Sequence, residues 1–245
     1  MKKDNTTGIK DRLVVALDVP DRDSALRLIE SLSGLVGMYK VGLQLYTAEG
    51  PQIVREIVAS GERVFLDLKF HDIPNTVTAA ARAAARLGVS ILDVHSLGGF
   101  EMMHAATLGF SETDIIWITR PAVLAVTILT SMEQRSLDEV GISTSLEDEV
   151  VRLAKLAYDS GLDGVVASPH EISLIRERVA AEPFIILTPG IRPSWSETGD
   201  QKRVATPAEA IRDGADFIVI GRAITNHKDP RSAAERVLEE IDRSL

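Results

Sequence analysis

The sequence predicts an α/β fold, a single TIM or (β/α)8 barrel. Eight short apolar, β-branched runs recur at intervals of about 20 to 35 residues, and the segments between them are helix-prone. The runs are nearly continuous in apolar character, which is typical of parallel strands buried on both faces. A length of 245 residues is also normal for such a barrel.

A doubly wound sheet, the other common parallel architecture, is disfavoured by the residues after the first run. Dinucleotide-binding folds carry GxGxxG there, whereas this chain has Asp18, Val19 and Pro20. No linker or shift in composition divides the sequence. We therefore expect one catalytic barrel domain over residues 11–245, preceded by a flexible leader over residues 1–10.

The expected strands follow one another along the chain with helices between them. The strand runs are 12–18, 36–42, 63–69, 90–95, 122–128, 163–168, 184–188 and 216–220. Apolar residues at helical spacing predict helices over 24–32 and 147–160. The alanine-rich segment 79–87 predicts another helix, which ends at Gly88.

Composition excludes several functional classes. A net charge of −9 and a pI near 5.1 argue against a nucleic-acid surface, which needs a basic stripe. The chain has no cysteine, so it has no disulfide, thiol nucleophile or thiolate metal site. Residues 1–8 are basic but no apolar stretch follows, and no run is long enough to cross a bilayer. The sequence therefore predicts a cytoplasmic protein with neither a nucleic-acid nor a membrane partner.

Ionisable residues fall at the ends of the first three predicted strands. Asp18 ends the first and Lys40 the second, while Asp67 and Lys69 end the third and Asp72 follows in a loop. Each has a structural alternative: Asp18 could cap a helix, Lys40 could extend to the rim, and Asp67 with Lys69 could be a buried structural pair. Burying a charge costs several kcal/mol without compensating partners. Because these groups converge on the catalytic face of a barrel, we favour a working site.

The third strand is expected to present its charges on one face. Side chains alternate along a strand, so Asp67 and Lys69 point one way while Leu66, Leu68 and Phe70 point the other. The preceding run is apolar, so the charged face belongs to a strand that is otherwise buried.

Two glycine–arginine turns after the last two strands predict a phosphate cradle, which we define as Gly190, Arg192, Gly221 and Arg222. Barrels often bind phosphate with the loops after strands seven and eight. Glycine allows close backbone approach, and the guanidinium group matches phosphate oxygens. The alternative is that both glycines serve turns and both arginines are solvated. Because both pairs occur at the two expected strand ends, we favour a phosphorylated ligand.

Two further polar features carry less information. The five histidines share no ligand spacing such as HExxH, so the sequence predicts no metal site. Residues 194–201 are polar and could form a surface loop or a flap that closes over a ligand.

The motifs resemble the orotidine 5′-phosphate decarboxylase family, specifically its bacterial type, from Leu13 to about Pro230. The most specific block is DLKFHDIPNT at residues 67–76. The other motifs in the expected order are VALD (15–18), KVG (40–42), TPGIR (188–192), GDQ (199–201) and VIGR (219–222). The resemblance implies a cofactor-free carboxy-lyase that converts orotidine 5′-monophosphate to uridine 5′-monophosphate, the last step of de novo UMP biosynthesis.

The resemblance also implies a role for each matching residue. Lys69 would donate a proton from a lysine–aspartate array formed by Lys40, Asp67, Lys69 and Asp72. Asp18 and Lys40 would hold the ribose hydroxyls. Other substrate contacts would come from Thr130 and Pro189 at the pyrimidine, and from Arg192, Gln201, Gly221 and Arg222 at the phosphate.

In this family Asp72, Ile73 and Thr76 reach the neighbouring subunit's active site, so the resemblance implies an obligate homodimer. No metal, flavin or pyridoxal is expected as a cofactor.

Two rival functions stay open at this point. Hexulose-phosphate synthase and related Mg²⁺-dependent enzymes share the Asp-x-Lys-x-x-Asp spacing, but the residues from Phe70 to Thr76 and the GDQ segment favour the orotidylate enzyme. A non-catalytic barrel that binds a nucleotide or sugar phosphate would need the phosphate cradle alone. A buried lysine between two carboxylates is unnecessary for such binding and costly to maintain.

Overall fold

The barrel predicted from the sequence is confirmed by the computed structural model, which describes residues 8–111, 121–179, 183–196 and 204–243. Eight parallel strands close on themselves in chain order, and the last pairs with the first. They are β1 Leu13–Ala16, β2 Met38–Gly42, β3 Val64–Phe70, β4 Ile91–His95, β5 Ala122–Val126, β6 Gly164–Val166, β7 Ile185–Thr188 and β8 Phe217–Ile220. Every strand lies within two residues of its expected bounds, because burial on both faces left an apolar run for each.

Helices follow the strands and surround the barrel. They are α1 Arg22–Leu32, α2 Leu43–Glu49, α3 Pro51–Ala59, α4 Pro74–Ala85, α5 Gly99–Ser111, α6 Gln134–Glu139, α7 Leu146–Asp159, α8 Ile172–Arg178, α9 Pro207–Arg212, α10 Arg222–Thr225 and α11 Pro230–Asp242. The three helices expected from the sequence correspond to α1, α4 and α7. The helix α4 begins five residues before its alanine-rich segment, because Pro74 favours the first helical position.

Local sequence signals set several helix ends. Asp21 caps α1 by accepting the Ser24 N–H, and Thr206 caps α9 in a reciprocal arrangement with Glu209. Between β2 and β3 the chain makes two helices instead of one. Gly50, with φ of 64°, turns the chain between α2 and α3, and this left-handed conformation favours glycine.

The core has two layers that follow from the alternation of side chains along each strand. A small inner cluster fills the barrel, with Phe65, Leu124 and Leu187 among its members. A larger outer cluster lies between the sheet and the helices, and Leu66 and Leu92 belong to it. The inward positions nearest the carboxyl ends of the strands are not filled by apolar side chains alone, and a cavity opens there.

Among the described residues, no helix combines the length and apolar character needed to span a bilayer. A short 3-10 helix over Ile9–Arg12 leads into β1. Residues 1–7 lie outside the described part of the chain, and the expected domain boundary at residue 10 stays a prediction.

Candidate active site

A cavity of about 600 Å³ opens at the carboxyl ends of the strands, where the polar residues singled out in the sequence were expected to meet. It is lined by ten residues that the sequence singled out: Asp18, Lys40, Asp67, Lys69, Thr130, Pro189, Gly190, Arg192, Gly221 and Arg222. The tertiary structure therefore brings together groups that are separated by up to 204 positions in the chain.

Three of the four groups of the lysine–aspartate array form a continuous chain of ion pairs. Asp67 Oδ2 lies 3.0 Å from Lys40 Nζ, and its other carboxylate oxygen pairs with Lys69 Nζ. Lys40 Nζ also lies 3.0 Å from Asp18 Oδ1. The side chains of Lys40 and Asp67 are each only 12% exposed, so these charges are held largely away from water.

The central carboxylate of this chain is held in its ionised form. Burial opposes ionisation of Asp67, but the nearby charges of Lys40 and Lys69 outweigh it and lower the pKa of Asp67 to about 2. Burial likewise opposes the charge on Lys40, and the carboxylates of Asp67 and Asp18 outweigh it and raise the pKa of Lys40. A pair of fixed ammonium groups around one fixed carboxylate makes a preorganised electrostatic site.

Room for this arrangement depends on a glycine at the end of β2. A Cβ atom at Gly42 would lie 2.8 Å from Lys40 Nζ and 3.3 Å from Asp18 Oδ1. A side chain there would therefore force the ammonium group to shift from its present position.

The end of β3 departs from regular strand geometry. Leu66 pairs with Leu92 of β4 and Phe70 with Val94, so three residues of β3 face Asp93 alone. Within this bulge Lys69 has φ of 51°, and it is the only non-glycine residue in the described segments with positive φ. Such a conformation costs roughly 1–2 kcal/mol, and it clusters at functional sites.

The side chains of β3 lie on the expected faces, but the backbone that carries them is not a regular strand. Asp67 and Lys69 pair on the cavity side, while Leu68 and Phe70 pack against the outer core. The strand reaches this arrangement through the bulge, not by a regular period of two.

The cavity is also lined by apolar side chains and by two arginines. Val126, Val166 and Leu187 form part of its floor, next to Thr130 and Pro189. The cavity therefore combines an apolar surface with the charged groups of β1 to β3.

Arg192 and Arg222 of the predicted phosphate cradle line the same cavity as the lysine–aspartate array. Gly190 has φ of 82°, so the turn after β7 needs glycine. The Arg192 N–H donates to the Ala205 carbonyl at 2.9 Å, which fastens this turn to the segment before α9. Gln201, the flap residue expected at the phosphate, lies outside the described residues.

Asp72, Ile73 and Thr76 do not line the cavity and are exposed to solvent. Within the described part of the chain, Asp72 makes no ion pair, and its Oδ1 accepts the Ile73 N–H at 2.6 Å. The array is therefore incomplete at its fourth group within one chain.

Two residues near the array were missed by reasoning from the sequence. Gly42 was noted only as part of the KVG motif and not as a residue that shapes the site. Its position two residues after Lys40, on the same face of β2, is the signal that could have identified it. Asp93 is an acidic residue inside an otherwise apolar strand run, and that signal could have identified it. It is fully buried, and burial together with the negative charge of Asp67 raises its pKa well above the usual range.

Two histidines flank the cavity without forming part of it. The rings of His71 and His95 stack with centroids 5.6 Å apart, and His95 Nδ1 accepts the Leu97 N–H. Burial, followed by the charges of His71 and Lys69, lowers the pKa of His95.

A closed parallel barrel with buried ionisable groups around a cavity at the carboxyl ends of its strands defines a TIM-barrel enzyme. The model of the "Orotidine 5'-phosphate decarboxylase / HUMPS family" matches residues 11–237, and the chain belongs to this family.

Curated relatives and solved structures agree with this assignment. The orotidine 5'-phosphate decarboxylase of Moorella thermoacetica is 52% identical over 236 residues, which cover 95% of this chain and 93% of the relative. That of Geobacter sulfurreducens is 52% identical over 232 residues, covering 95% and 96%. The crystal structure of orotidine 5'-phosphate decarboxylase from Lactobacillus acidophilus superposes with a TM-score of 0.84 at 35% identity, covering 94% of this chain and 98% of the other.

Proposed function

We propose that this protein decarboxylates orotidine 5′-monophosphate to uridine 5′-monophosphate, with Lys69 as the proton donor. The observation that carries the proposal is the Lys69 ammonium group paired with a buried carboxylate at the wall of the cavity. The names of the relatives and the family match support the same reaction. An enzyme of nucleotide synthesis would act in the cytoplasm, which is the location we propose.

The reaction breaks the bond between C6 of the pyrimidine and its carboxylate. CO₂ leaves, and the electron pair stays on C6, where no carbonyl group is placed to delocalise it. Lys69 then gives a proton to C6 and becomes a neutral amine, which solvent reprotonates after the product leaves. The enzyme must therefore stabilise the developing carbanion electrostatically before the proton moves.

The magnitude of that stabilisation follows from Coulomb's law. One pair of unit charges at about 4 Å and an effective dielectric of about 20 contributes roughly 4 kcal/mol. Asp67 holds Lys69 in place before the substrate arrives, so little reorganisation is needed when charge develops. Asp67 would also lie near the departing carboxylate.

Groups that bind the substrate far from C6 would supply the rest of the lowering of the activation barrier. Arg192 and Arg222 would hold the phosphate, and the apolar floor would orient the pyrimidine beside Thr130 and Pro189. Asp18 and Lys40 would take the ribose hydroxyls from the opposite side. Contacts to the non-reacting parts of a substrate can orient it and exclude water, and this raises the rate of the chemical step.

We further propose that the working enzyme is a homodimer in which Asp72, Ile73 and Thr76 complete the neighbour's site. Ile73 is 66% exposed, and an exposed apolar side chain is informative where others lie beside it in a patch. Leu43, Leu97 and Phe100 are also exposed, so large apolar side chains follow three successive strands on the same rim. A second copy of the chain would cover these side chains and bring its Asp72 toward Lys69.

A direct assay separates this function from its rivals. Orotidine 5′-monophosphate is incubated with the protein, and the loss of its ultraviolet absorbance is followed with and without EDTA. We expect turnover that EDTA does not reduce, because the ammonium groups of Lys40 and Lys69 already pair with the carboxylates of Asp18 and Asp67. Turnover that stops in EDTA would favour the Mg²⁺-dependent rival, and binding without turnover would favour the non-catalytic barrel.

The phosphate cradle is tested by Arg222→Ala. We expect KM for orotidine 5′-monophosphate to rise roughly 10- to 100-fold, because charge-assisted hydrogen bonds to phosphate are lost. Orotidine, which lacks the phosphate, should be processed equally by the variant and the wild type. Arg212→Ala is the control, since Arg212 ends α9 on the far side of the barrel. An unchanged KM in Arg222→Ala would show that the cradle is wrongly assigned.

A further inference from the structure

Asp93 is a buried acidic residue that the proposed reaction does not use directly. It lies in the middle of β4, its side chain is inaccessible to solvent, and it is the β4 residue that faces the bulge of β3. Asp93 Oδ1 accepts the backbone N–H of Lys69 at 2.8 Å. A fully buried carboxyl group is uncommon, and one that contacts the backbone of the proposed proton donor needs a physical explanation.

The bulge provides this explanation. Two pairs of residues, Leu66 with Leu92 and Phe70 with Val94, bracket it, so the regular ladder between β3 and β4 is interrupted at Lys69. The Lys69 N–H is partly buried and needs an acceptor. The side chain of Asp93 supplies one, at the residue where the backbone adopts positive φ.

We propose that Asp93 is a positioning residue: by accepting the Lys69 N–H, it holds the Lys69 backbone in the left-handed conformation that directs the ammonium group onto Asp67. This inference rests on the proposed function of Lys69. The side chain of Lys69 pairs with Asp67 while its main chain bonds to Asp93, so two carboxyl groups fix the residue from both ends. Without the second contact, the backbone would relax toward ordinary strand geometry and move the ammonium group.

The direction of the pKa shift of Asp93 is compatible with this role. Of the ionisable groups that face it, Asp67 raises its pKa and Lys69 opposes that effect, while burial favours the neutral acid most strongly. A neutral carboxyl group still accepts the Lys69 N–H through its carbonyl oxygen, and it adds no negative charge beside Asp67. An asparagine of nearly the same shape should therefore replace it.

The expected kinetic signature is a change in kcat and not in KM. Lys69 acts on C6 during the reaction, whereas the phosphate cradle and the apolar floor bind the substrate in its ground state. A displacement of a catalytic group by about 1 Å can cost about 100-fold in rate. Loss of the Asp93 contact should thus slow the chemical step while substrate still binds.

The test uses Asp93→Leu, which keeps the branched four-atom skeleton but removes the acceptor, and Asp93→Asn, which keeps the skeleton and an acceptor oxygen. We expect Asp93→Leu to lower kcat roughly 10- to 100-fold with little change in KM or in UMP affinity, and Asp93→Asn to retain most of the wild-type kcat. Rates are expressed per UMP-binding site, so that unfolded protein does not enter the comparison. Asp93→Ala replaces Asp93→Leu if the leucine variant does not fold, with the same expectation.

Asp163 provides a matched control, because its Oδ2 accepts the Val123 N–H at 2.8 Å at the opposite end of the barrel. Asp163→Leu should lower the melting temperature without changing kcat per site. An unchanged kcat in Asp93→Leu, an equal loss in Asp93→Asn, or a rise in KM that matches the fall in kcat would overturn the inference. Absence of activity in the wild-type protein would instead refute the proposed function.

Discussion

Replacing Lys69 by alanine is expected to reduce kcat for orotidine 5′-monophosphate by at least roughly 10³-fold, because the variant loses both the proton donor and the nearest positive charge. UMP should still bind, since the phosphate cradle and the apolar floor are untouched. The measurement pairs steady-state kinetics with calorimetric titration of UMP.

Lys155→Ala is the matched control for this variant. Lys155 lies on α7, its side chain is 64% exposed, and it pairs with Asp159 on the surface, so its removal should leave turnover unchanged. Substantial decarboxylation by Lys69→Ala would mean that another group protonates C6. Loss of UMP binding together with turnover would point to a collapsed site, because Asp67 would be left as a buried charge with one partner fewer.

Mixing two inactive variants is expected to restore activity if the site is shared between subunits. Lys69→Ala and Asp72→Ala should each be impaired alone, the second by roughly 100-fold because Lys69 loses one of its positioning carboxylates. In a hybrid dimer, one site contains both substitutions and the other contains neither. Equal mixing with free exchange makes half of the dimers hybrids, so we expect about a quarter of wild-type activity.

A second mixture makes this experiment decisive. Asp67 and Lys69 come from the same chain, as their ion pair shows, so mixing Asp67→Ala with Lys69→Ala leaves every site defective. That mixture should regain nothing, and exchange is verified with two differently tagged subunits. If Asp72→Ala with Lys69→Ala also regains nothing while subunits exchange, the shared site is refuted.

The strands and the location of the cavity could be predicted because their signals are local. An inward or outward position follows from the alternation of side chains, and the carboxyl end of a strand is visible where an apolar run stops. Asp18, Lys40 and Asp67 were found in this way. The structure places the Lys40 ammonium group 3.0 Å from the carboxylates of both Asp18 and Asp67. The family motif added roles that spacing alone did not supply.

Other features depend on contacts between segments and had no local signal. The bulge at Lys69 comes from the pairing of β3 with β4, and nothing in the sequence around Lys69 requires positive φ. The sequence shows that Asp93 is an acidic residue within an apolar run. Its hydrogen bond to the Lys69 N–H, however, depends on how β3 pairs with β4. The exposure of Asp72 is likewise a property of the folded chain and not of the loop sequence.

The order of residues was enough to predict the closed barrel, its strand order and the strand ends at which the charged groups gather, because hydrophobic periodicity and parallel pairing leave few alternatives. The way in which those groups are held is a property of the folded chain: two carboxyl groups on different strands contact Lys69, and Gly42 leaves room for Lys40. The reason is that ion pairs and backbone hydrogen bonds depend on distances of a few ångströms between segments, which strand register sets and residue order does not.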